Sequence, residues 1–296
     1  MIITVTLNPA VDKYIFLDDL YLDKTNKIIS KMSIYGGKGI NVSNYLGLLK
    51  QDNVATGFVF ADDEKMLEGH LSEYTTDDFL YINGKTRENL KINYQGKLLE
   101  VNDNNHINEN HWQLFLKKYE KYLKRGNIIV LSGSLPIGIS DDSYAYLAKI
   151  AKENGCFVIL DSSGKALKNA YSYVDMIKPN KEEYCFLKGI EYDDISKYKI
   201  TSDILTVISL GKEGSLLICE HEIYKIAPLN VKVYSTVGAG DSMVAAFAYG
   251  LQNKMPIMET MKLASALSSL VITEDYRNDF EQKLSDLMRQ AKVEKL

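Results

Sequence analysis

The stretch Ser235-Thr236-Val237-Gly238-Ala239-Gly240-Asp241-Ser242 carries the strongest chemical pattern in the chain. Small residues at 238–240 let backbone N–H groups come close to a ligand. Met243, Val244, Phe247, Ala248 and Leu251 recur at helical spacing, so a helix is expected over Asp241–Gln252. A helix start adds positive partial charge, and with the small residues it makes an anion site. A carboxylate there is repulsive unless it has work to do. The work that fits is to take a proton from a hydroxyl that attacks a phosphate. The plainer reading is a capped turn, because Asp is a good N-cap, and this stretch alone does not separate the two.

Other groups point the same way more weakly. Gly36-Gly37-Lys38-Gly39-Ile40-Asn41 opens a second helix and describes an anion or polyol site, with Asn41 one turn inside and aimed toward the helix start. Its spacing is not that of a P-loop. Asp12 follows the first strand, where an open parallel sheet binds ligands, and can accept from two sugar hydroxyls; a turn-stabilising Asp is the ordinary alternative. Arg87 offers a planar fork that suits a phosphate and is otherwise a surface arginine. Ser132-Gly133-Ser134-Leu135-Pro136 closes a buried strand. Asn180 and Glu183 would share a helix face after Lys178-Pro179. An amide with a carboxylate suits a magnesium ion held largely through water, and equally an Asn-x-x-Glu capping box. Ser209, Gly211 and Gly214 end another strand, against a nucleotide or in a simple turn. The histidines His70, His106, His111 and His221 stand in polar surroundings at no useful spacing and are expected at the surface.

These residues need a frame. Strand-like and helix-like segments alternate, which predicts a mostly parallel sheet with helices on both faces. Strands are expected at 2–7, 54–60, 128–132, 157–161, 176–178 and 204–210. Helices are expected at 38–50, 108–124, 141–154, 241–252, 257–272 and 280–291. Residues 12–36 and 86–103 break the rhythm; the second reads as a hairpin around Gln95-Gly96-Lys97. Four short strands from these insertions form either a lid over the substrate or an extension of the sheet edge, and pattern alone leaves both open. No repeat or Pro/Gly linker appears, so one domain with an attached lid is expected.

Composition narrows the class. At 296 residues, 46% hydrophobic and 25% charged, the chain has the profile of an ordinary globular protein. A net charge of −4 gives no general attraction to nucleic acid. No apolar run reaches membrane-spanning length and no secretory leader is read, so a cytoplasmic protein is expected. Three widely spaced cysteines suit reduced thiols, and no Cys/His spacing matches a zinc site.

The order of the motifs is more specific than any one of them. Asn8-Pro9-Ala10-Val11-Asp12, Gly36–Asn41, Thr86-Arg87, Ser132–Pro136, Lys178-Pro179-Asn180, Ser209-Leu210-Gly211 and Val237–Ser242 together resemble the PfkB branch of the ribokinase-like sugar kinases, nearly end to end. Within that branch the motifs are most similar to those of 1-phosphofructokinases, with tagatose-6-phosphate kinases next. The resemblance implies a three-layer α/β/α core with a β-sheet lid that pairs into a homodimer. It implies ATP with Mg²⁺ and phosphoryl transfer to a phosphorylated ketohexose, in the first instance to the 6-hydroxyl of fructose 1-phosphate. Carried over by position, Asp241 is the base and Gly238, Ala239 and Gly240 form the anion hole. Asp12, Gly37 and Asn41 hold sugar hydroxyls. Lys38, Arg87 and Lys27 hold the substrate's own phosphate, and Ser134 assists. Lys178, Asn180, Glu183, Ser209, Gly211 and Gly214 serve the nucleotide, with Asn180 and Glu183 also serving the metal. The chain departs from the pattern at Phe60-Ala61-Asp62-Asp63-Glu64, which lacks glycine, at Val101–Asn104, which lacks Gly-Pro, and at the short segment Thr273–Asn278. A sensor of sugar phosphate or nucleotide without catalysis is the non-enzyme alternative; a retained base speaks against it.

Overall fold

The computed structural model describes residues 1–190, 202, 204–220 and 222–296; the surface expectation for His221 lies outside them. In chain order the strands are β1 (Ile2–Thr6), β2 (Ala10–Leu17), β3 (Ser30–Gly36), β4 (Asn53–Phe60), β5 (Thr75–Ile82), β6 (Glu88–Tyr94), β7 (Lys97–Val101), β8 (Ile128–Ser132), β9 (Phe157–Asp161), β10 (Met176–Ile177), β11 (Leu205–Ser209), β12 (Ser215–Cys219), β13 (Glu222–Ile226) and β14 (Val293–Lys295). The helices are α1 (Lys38–Leu48), α2 (Glu64–Glu68), α3 (Glu109–Tyr119), α4 (Ser143–Glu153), α5 (Gly164–Ala170), α6 (Lys181–Lys188), α7 (Ala239–Gln252), α8 (Ile257–Val271) and α9 (Phe280–Gln290).

Ten strands form one sheet in the order β14-β13-β12-β11-β10-β9-β8-β1-β4-β5. Pairing is parallel from β5 across to β11 and antiparallel from β11 outward. The central strands are apolar on both faces because helices cover both. Alternation sorts their side chains: Ile129, Leu131, Val158 and Leu160 meet Phe115 of α3, Leu147 of α4 and Leu167 of α5. Ile128, Val130 and Ile159 face the other way, onto Leu46 of α1, Phe247 of α7 and Leu267 of α8. This is the three-layer α/β/α arrangement expected from the alternating pattern.

The two irregular insertions form a separate sheet, ordered β3-β2-β6-β7. That decides for a separate sheet over an extension of the main sheet's edge. Its centre is a parallel pair, β2 with β6, brought together from segments about 75 residues apart in sequence (Val11 opposite Glu88). The β6–β7 hairpin turns on Gln95 and Gly96, both with positive φ, 47° and 71°, which matches the twist of its strands.

Boundaries moved where local geometry intervened. Helix α7 starts at Ala239 rather than Asp241, so the carboxylate sits inside the first turn. Helix α3 stops at Tyr119 and tightens into a single 3₁₀ turn at Glu120–Tyr122. Strand β5, the edge strand beside β4, carries Asp77 and Asp78 and has no clear alternation, so it was not anticipated.

Helix α7 both carries Asp241 and buries Phe247 completely. Phe247→Ala should cost about 3–5 kcal/mol of stability, read as a lower urea midpoint at unchanged slope; a loss under 1 kcal/mol would show that the helix is not anchored there.

Candidate active site

The sheet reverses its strand order between β1 and β8: the chain moves outward from β1 to β4 and β5, then returns to β8 on the other side. Ligands in open parallel sheets bind beyond the carboxyl ends of strands at such a point. Asp161 ends β9, Lys178 follows β10, and helices α1 and α7 start at the same end. A cleft of about 430 Å³ opens there, walled by Gly37, Lys38, Asn41, Gly238, Gly240 and Asp241 from the body, by Asp12, Asn89 and Lys91 from the small sheet, and by Arg87 just before β6.

Asp241 is 7% exposed. Burial pushes its carboxyl up from the ordinary 3.8 to about 6; Lys38 pulls it down, Asp161 pushes it up, and the Asn41 amide and Lys178 pull it down. Asn41 Nδ2 donates to Asp241 Oδ2 at 2.8 Å, which fixes the carboxylate and leaves Oδ1 for a substrate hydroxyl. Ahead of it, Gly238 caps α7 with φ 87°, and a Cβ there would lie 1.9 Å from the Tyr45 hydroxyl. Only glycine fits a left-handed position that close to a neighbour. The N–H groups of a first turn have no acceptor within the helix; here Ala239 N leans on Thr236 O at 3.5 Å, a long bond that an anion can displace.

Asp161 is a site residue that sequence reasoning missed. It is fully buried between two ammonium groups, with Lys38 Nζ 3.2 Å from Oδ2 and Lys178 Nζ 3.4 Å from Oδ1. Burial alone would raise its carboxyl, and Lys178 and Lys38 more than reverse this, leaving it below the ordinary carboxylate value. Its oxygen Oδ1 lacks a hydrogen bond of good geometry, so the contact with Lys178 is ionic. Lys178 also borders the anion loop: a Cβ on Gly240 would sit 3.2 Å from its Nζ. The signal available in sequence was a carboxylate closing an apolar run, Phe157-Val158-Ile159-Leu160-Asp161.

The small sheet contributes Asp12, which lies in β2 rather than in a turn. Its Oδ1 accepts from Asn89 Nδ2 at 2.9 Å, and Lys91 Nζ stands 3.0 Å from Oδ2. Lys91 and Asn89 were not foreseen, because strand residues facing a ligand read like any polar strand face. Arg87 lines the cleft, yet three of its donors are engaged: Nε with Pro9 O (3.1 Å), Nη1 with Asp103 O (2.7 Å) and Nη2 with Asn8 O (3.1 Å). Two of its five N–H donors remain.

Other expected residues lie elsewhere. Lys27 is exposed in the loop between β2 and β3, outside the cleft wall. Ser134 is exposed and accepts from Asn8 Nδ2 at 2.9 Å. Asn180 and Glu183 form a capping box on α6: Glu183 N donates to Asn180 Oδ1 and Asn180 N donates to Glu183 Oε2, both at 2.8 Å. Ser209 N donates to Pro179 O at 3.0 Å, which joins the turn Gly211–Gly214 to the Asn180 segment. Glu183 is close enough to help raise the Lys38 ammonium, after Asp161 and Asp241; burial opposes all three.

A model of pfkB family carbohydrate kinases matches residues 5–283. The chain belongs to the pfkB family of carbohydrate kinases. It is 33% identical over 315 aligned positions to a tagatose-6-phosphate kinase of Staphylococcus epidermidis, covering 99% of each chain. Among solved structures it is similar to phosphofructokinase-2 of Escherichia coli in complex with substrates and products, at a TM-score of 0.86 and 26% identity, covering 97% of this chain and 99% of that one. It is also similar to a possible 1-phosphofructokinase of Thermotoga maritima, at 0.83 and 26%, covering 100% and 99%. The protein is an ATP-dependent sugar-phosphate kinase. No helix among the described residues is long and apolar enough to cross a membrane.

Because Lys38 holds Asp241 down, Lys38→Met should raise that carboxyl above about 6 and move the acid limb of the pH–rate profile to higher pH. A limb that stays put or moves lower would contradict the assigned coupling.

Proposed function

We propose that this kinase phosphorylates a ketohexose that already carries one phosphate, with fructose 1-phosphate as substrate and its 6-hydroxyl as acceptor. The observation that carries the reading is the buried Asp241 carboxyl, raised to about 6, sharing a cleft with Arg87 and Lys91 on the opposite wall. A base with that value is ionised at neutral pH and only just so, which suits removal of an alcohol proton as the phosphoryl group arrives.

The sugar enters under the four-stranded sheet. Asp12, Asn41 and the backbone at Gly37 hold its hydroxyls. The free donors of Arg87, with Lys91 beside them, take the resident phosphate. The far hydroxyl then meets Asp241 Oδ1 while Asn41 keeps Oδ2 occupied. Asp241 takes the proton as the oxygen attacks the γ-phosphorus of ATP. The N–H groups of Gly238, Ala239 and Gly240 receive the charge of the moving group; Lys38, expected on the sugar's own phosphate, is held by Asp161 next to Asp241, so with Lys178 it is read here as standing beside the moving group instead. The lid sheet keeps water out.

Magnesium fits the donor set. A neutral amide with one carboxylate suits an ion held largely through water. Glu183 Oε1 and the outer lone pair of Asn180 Oδ1 are not used by the capping box and are the groups that would hold it through water. When bound, the ion neutralises charge on the nucleotide phosphates.

A second reading, tagatose 6-phosphate as substrate, is favoured by the Staphylococcus epidermidis relative. Both sugars put a phosphate and a free hydroxyl at opposite ends of a furanose. We further infer a homodimer through the lid, since Met32 and Leu98, which share one face of the small sheet, leave about half of their surface in solvent (49% and 48%). Sedimentation at monomer mass across micromolar concentrations would refute it.

Side-by-side turnover on fructose 1-phosphate, tagatose 6-phosphate and fructose 6-phosphate decides the substrate; the reading fails if fructose 1-phosphate is the poorest. Asp241→Asn should lower turnover roughly 10²–10⁴-fold without lowering Tm at pH 7.5. Burial penalises the ionised form, so removing that charge does not weaken the fold, and the penalty it removes operates above the ordinary carboxylate value. Wild-type rate should fall as pH drops through about 6, where Asp241 takes up its proton. Arg87→Ala should raise KM for the sugar phosphate and leave KM for ATP near its starting value.

A further inference from the structure

The small sheet joins the body through four chain crossings: Asn8-Pro9 into β2, Tyr35-Gly36 out of β3, Thr86-Arg87 into β6, and Asn102–Asn105 out of β7. At the last crossing stands Asn105, directly after the segment Val101–Asn104 that departs from the family pattern. It is 3% exposed. Its backbone belongs to the body, since Ile137 N donates to Asn105 O at 2.9 Å. Its side chain reaches two other crossings. Asn105 Oδ1 accepts from Arg87 N at 2.8 Å, and Nδ2 donates to Pro9 O at 2.7 Å and to Asn8 Oδ1 at 2.8 Å.

The orientation of this amide is dictated by its partners. A backbone N–H can only donate and a backbone carbonyl can only accept, so Oδ1 must face Arg87 and Nδ2 must face Pro9. That fixes Asn8 as well: its oxygen takes the Asn105 proton, and its Nδ2 turns to Asn104 Oδ1 at 2.8 Å, Ser134 Oγ at 2.9 Å and Leu135 O at 3.2 Å. The Arg87 guanidinium closes the ring on Pro9 O, Asn8 O and Asp103 O. One carboxamide thus sets the relative position of Arg87, of the strand that carries Asp12, and of the body.

We propose that Asn105 is a positioning residue for phosphoryl transfer: it holds the roots of the small sheet so that Arg87 and Asp12 meet the sugar phosphate together. The inference rests on Arg87 serving the substrate's phosphate. It predicts that Asn105 acts on sugar binding and lid closure, and leaves the nucleotide side alone.

The test compares Asn105→Ala and the isosteric Asn105→Asp with wild type on whichever of fructose 1-phosphate, tagatose 6-phosphate and fructose 6-phosphate the wild type turns over fastest. The outcome therefore does not depend on which sugar that is. Misplacing a binding group by about 1 Å costs up to roughly 10²-fold, so KM for the sugar phosphate should rise about 10- to 100-fold in Asn105→Ala, with KM for ATP unchanged. ATP consumed per sugar product should climb above one as water gains access. Asn105→Asp keeps the acceptor for Arg87 N but sets an oxygen against Pro9 O and Asn8 Oδ1, so it should be no better than Asn105→Ala. Three results overturn the proposal: an unchanged KM for the sugar in both variants, a fall in kcat that merely follows loss of folded protein with both KM values intact, or full recovery in Asn105→Asp. Arg87→Ala with an unchanged sugar KM would instead overturn the phosphate role of Arg87 on which the inference rests; a raised sugar KM in Arg87→Ala beside an unchanged one in both Asn105 variants would overturn the positioning role alone.

Discussion

Two carboxylates buried together at a place built for phosphate are the constraint to which the rest of this structure answers. Asp161 and Asp241 are both nearly inaccessible, and removing such charges from water is costly unless they are paired and hydrogen-bonded. The compensation is uneven. Asp161 has both lysines and drops below the ordinary carboxylate value; Asp241 has an amide and a share of Lys38 and rises to about 6. Environment has thus split two like groups into an anion that fixes two cations and a carboxyl raised to about 6. Held on Asp161, Lys38 and Lys178 need no rearrangement when a phosphoryl group arrives, which is where preorganised charge is most effective.

Bringing these groups together required the sheet. Asp161 and Lys178 come from the ends of neighbouring parallel strands, Lys38 and Asp241 from the starts of two helices packed side by side on one face. None is near another in sequence except by the register of β9 with β10. The small sheet adds Asp12 and Lys91 by pairing β2 with β6, so that wall of the cleft exists only when two distant insertions have met.

The frame was legible because its signals are local. Apolar runs such as Ile128–Leu131 marked strands buried on both faces, and the small residues at 238–240 marked a backbone that must be approached closely. The hairpin at Gln95-Gly96 was visible from its turn alone. What escaped was whatever depends on a partner far along the chain. Asp161 is an ordinary strand terminus until Lys38 and Lys178 close on it. Lys91 is one lysine among many until β2 lies beside it. Asn180 and Glu183 show the converse: their spacing suits a metal or a cap, and the structure puts them in a cap. Arg87 was read as a phosphate fork, and most of its fork turned out to hold backbone carbonyls that no pattern could announce.

The competition at Asp241 can be settled by size. It sits in the first turn of α7, where the helix dipole favours a negative charge by about 0.3–1 kcal/mol, and up to about 2 in partly buried geometry. The climb from 3.8 to about 6 corresponds to about 3 kcal/mol in the opposite direction. Burial, with the Asp161 charge beside it, therefore outweighs the helix start, Lys38, Asn41 and Lys178 combined. A dipole-dominated carboxylate in the same place would stay fully ionised, bind protons poorly and make a feeble base. The depth of the site and the Asp161 charge, more than the helix that carries the residue, give Asp241 the proton affinity that the proposed reaction would use.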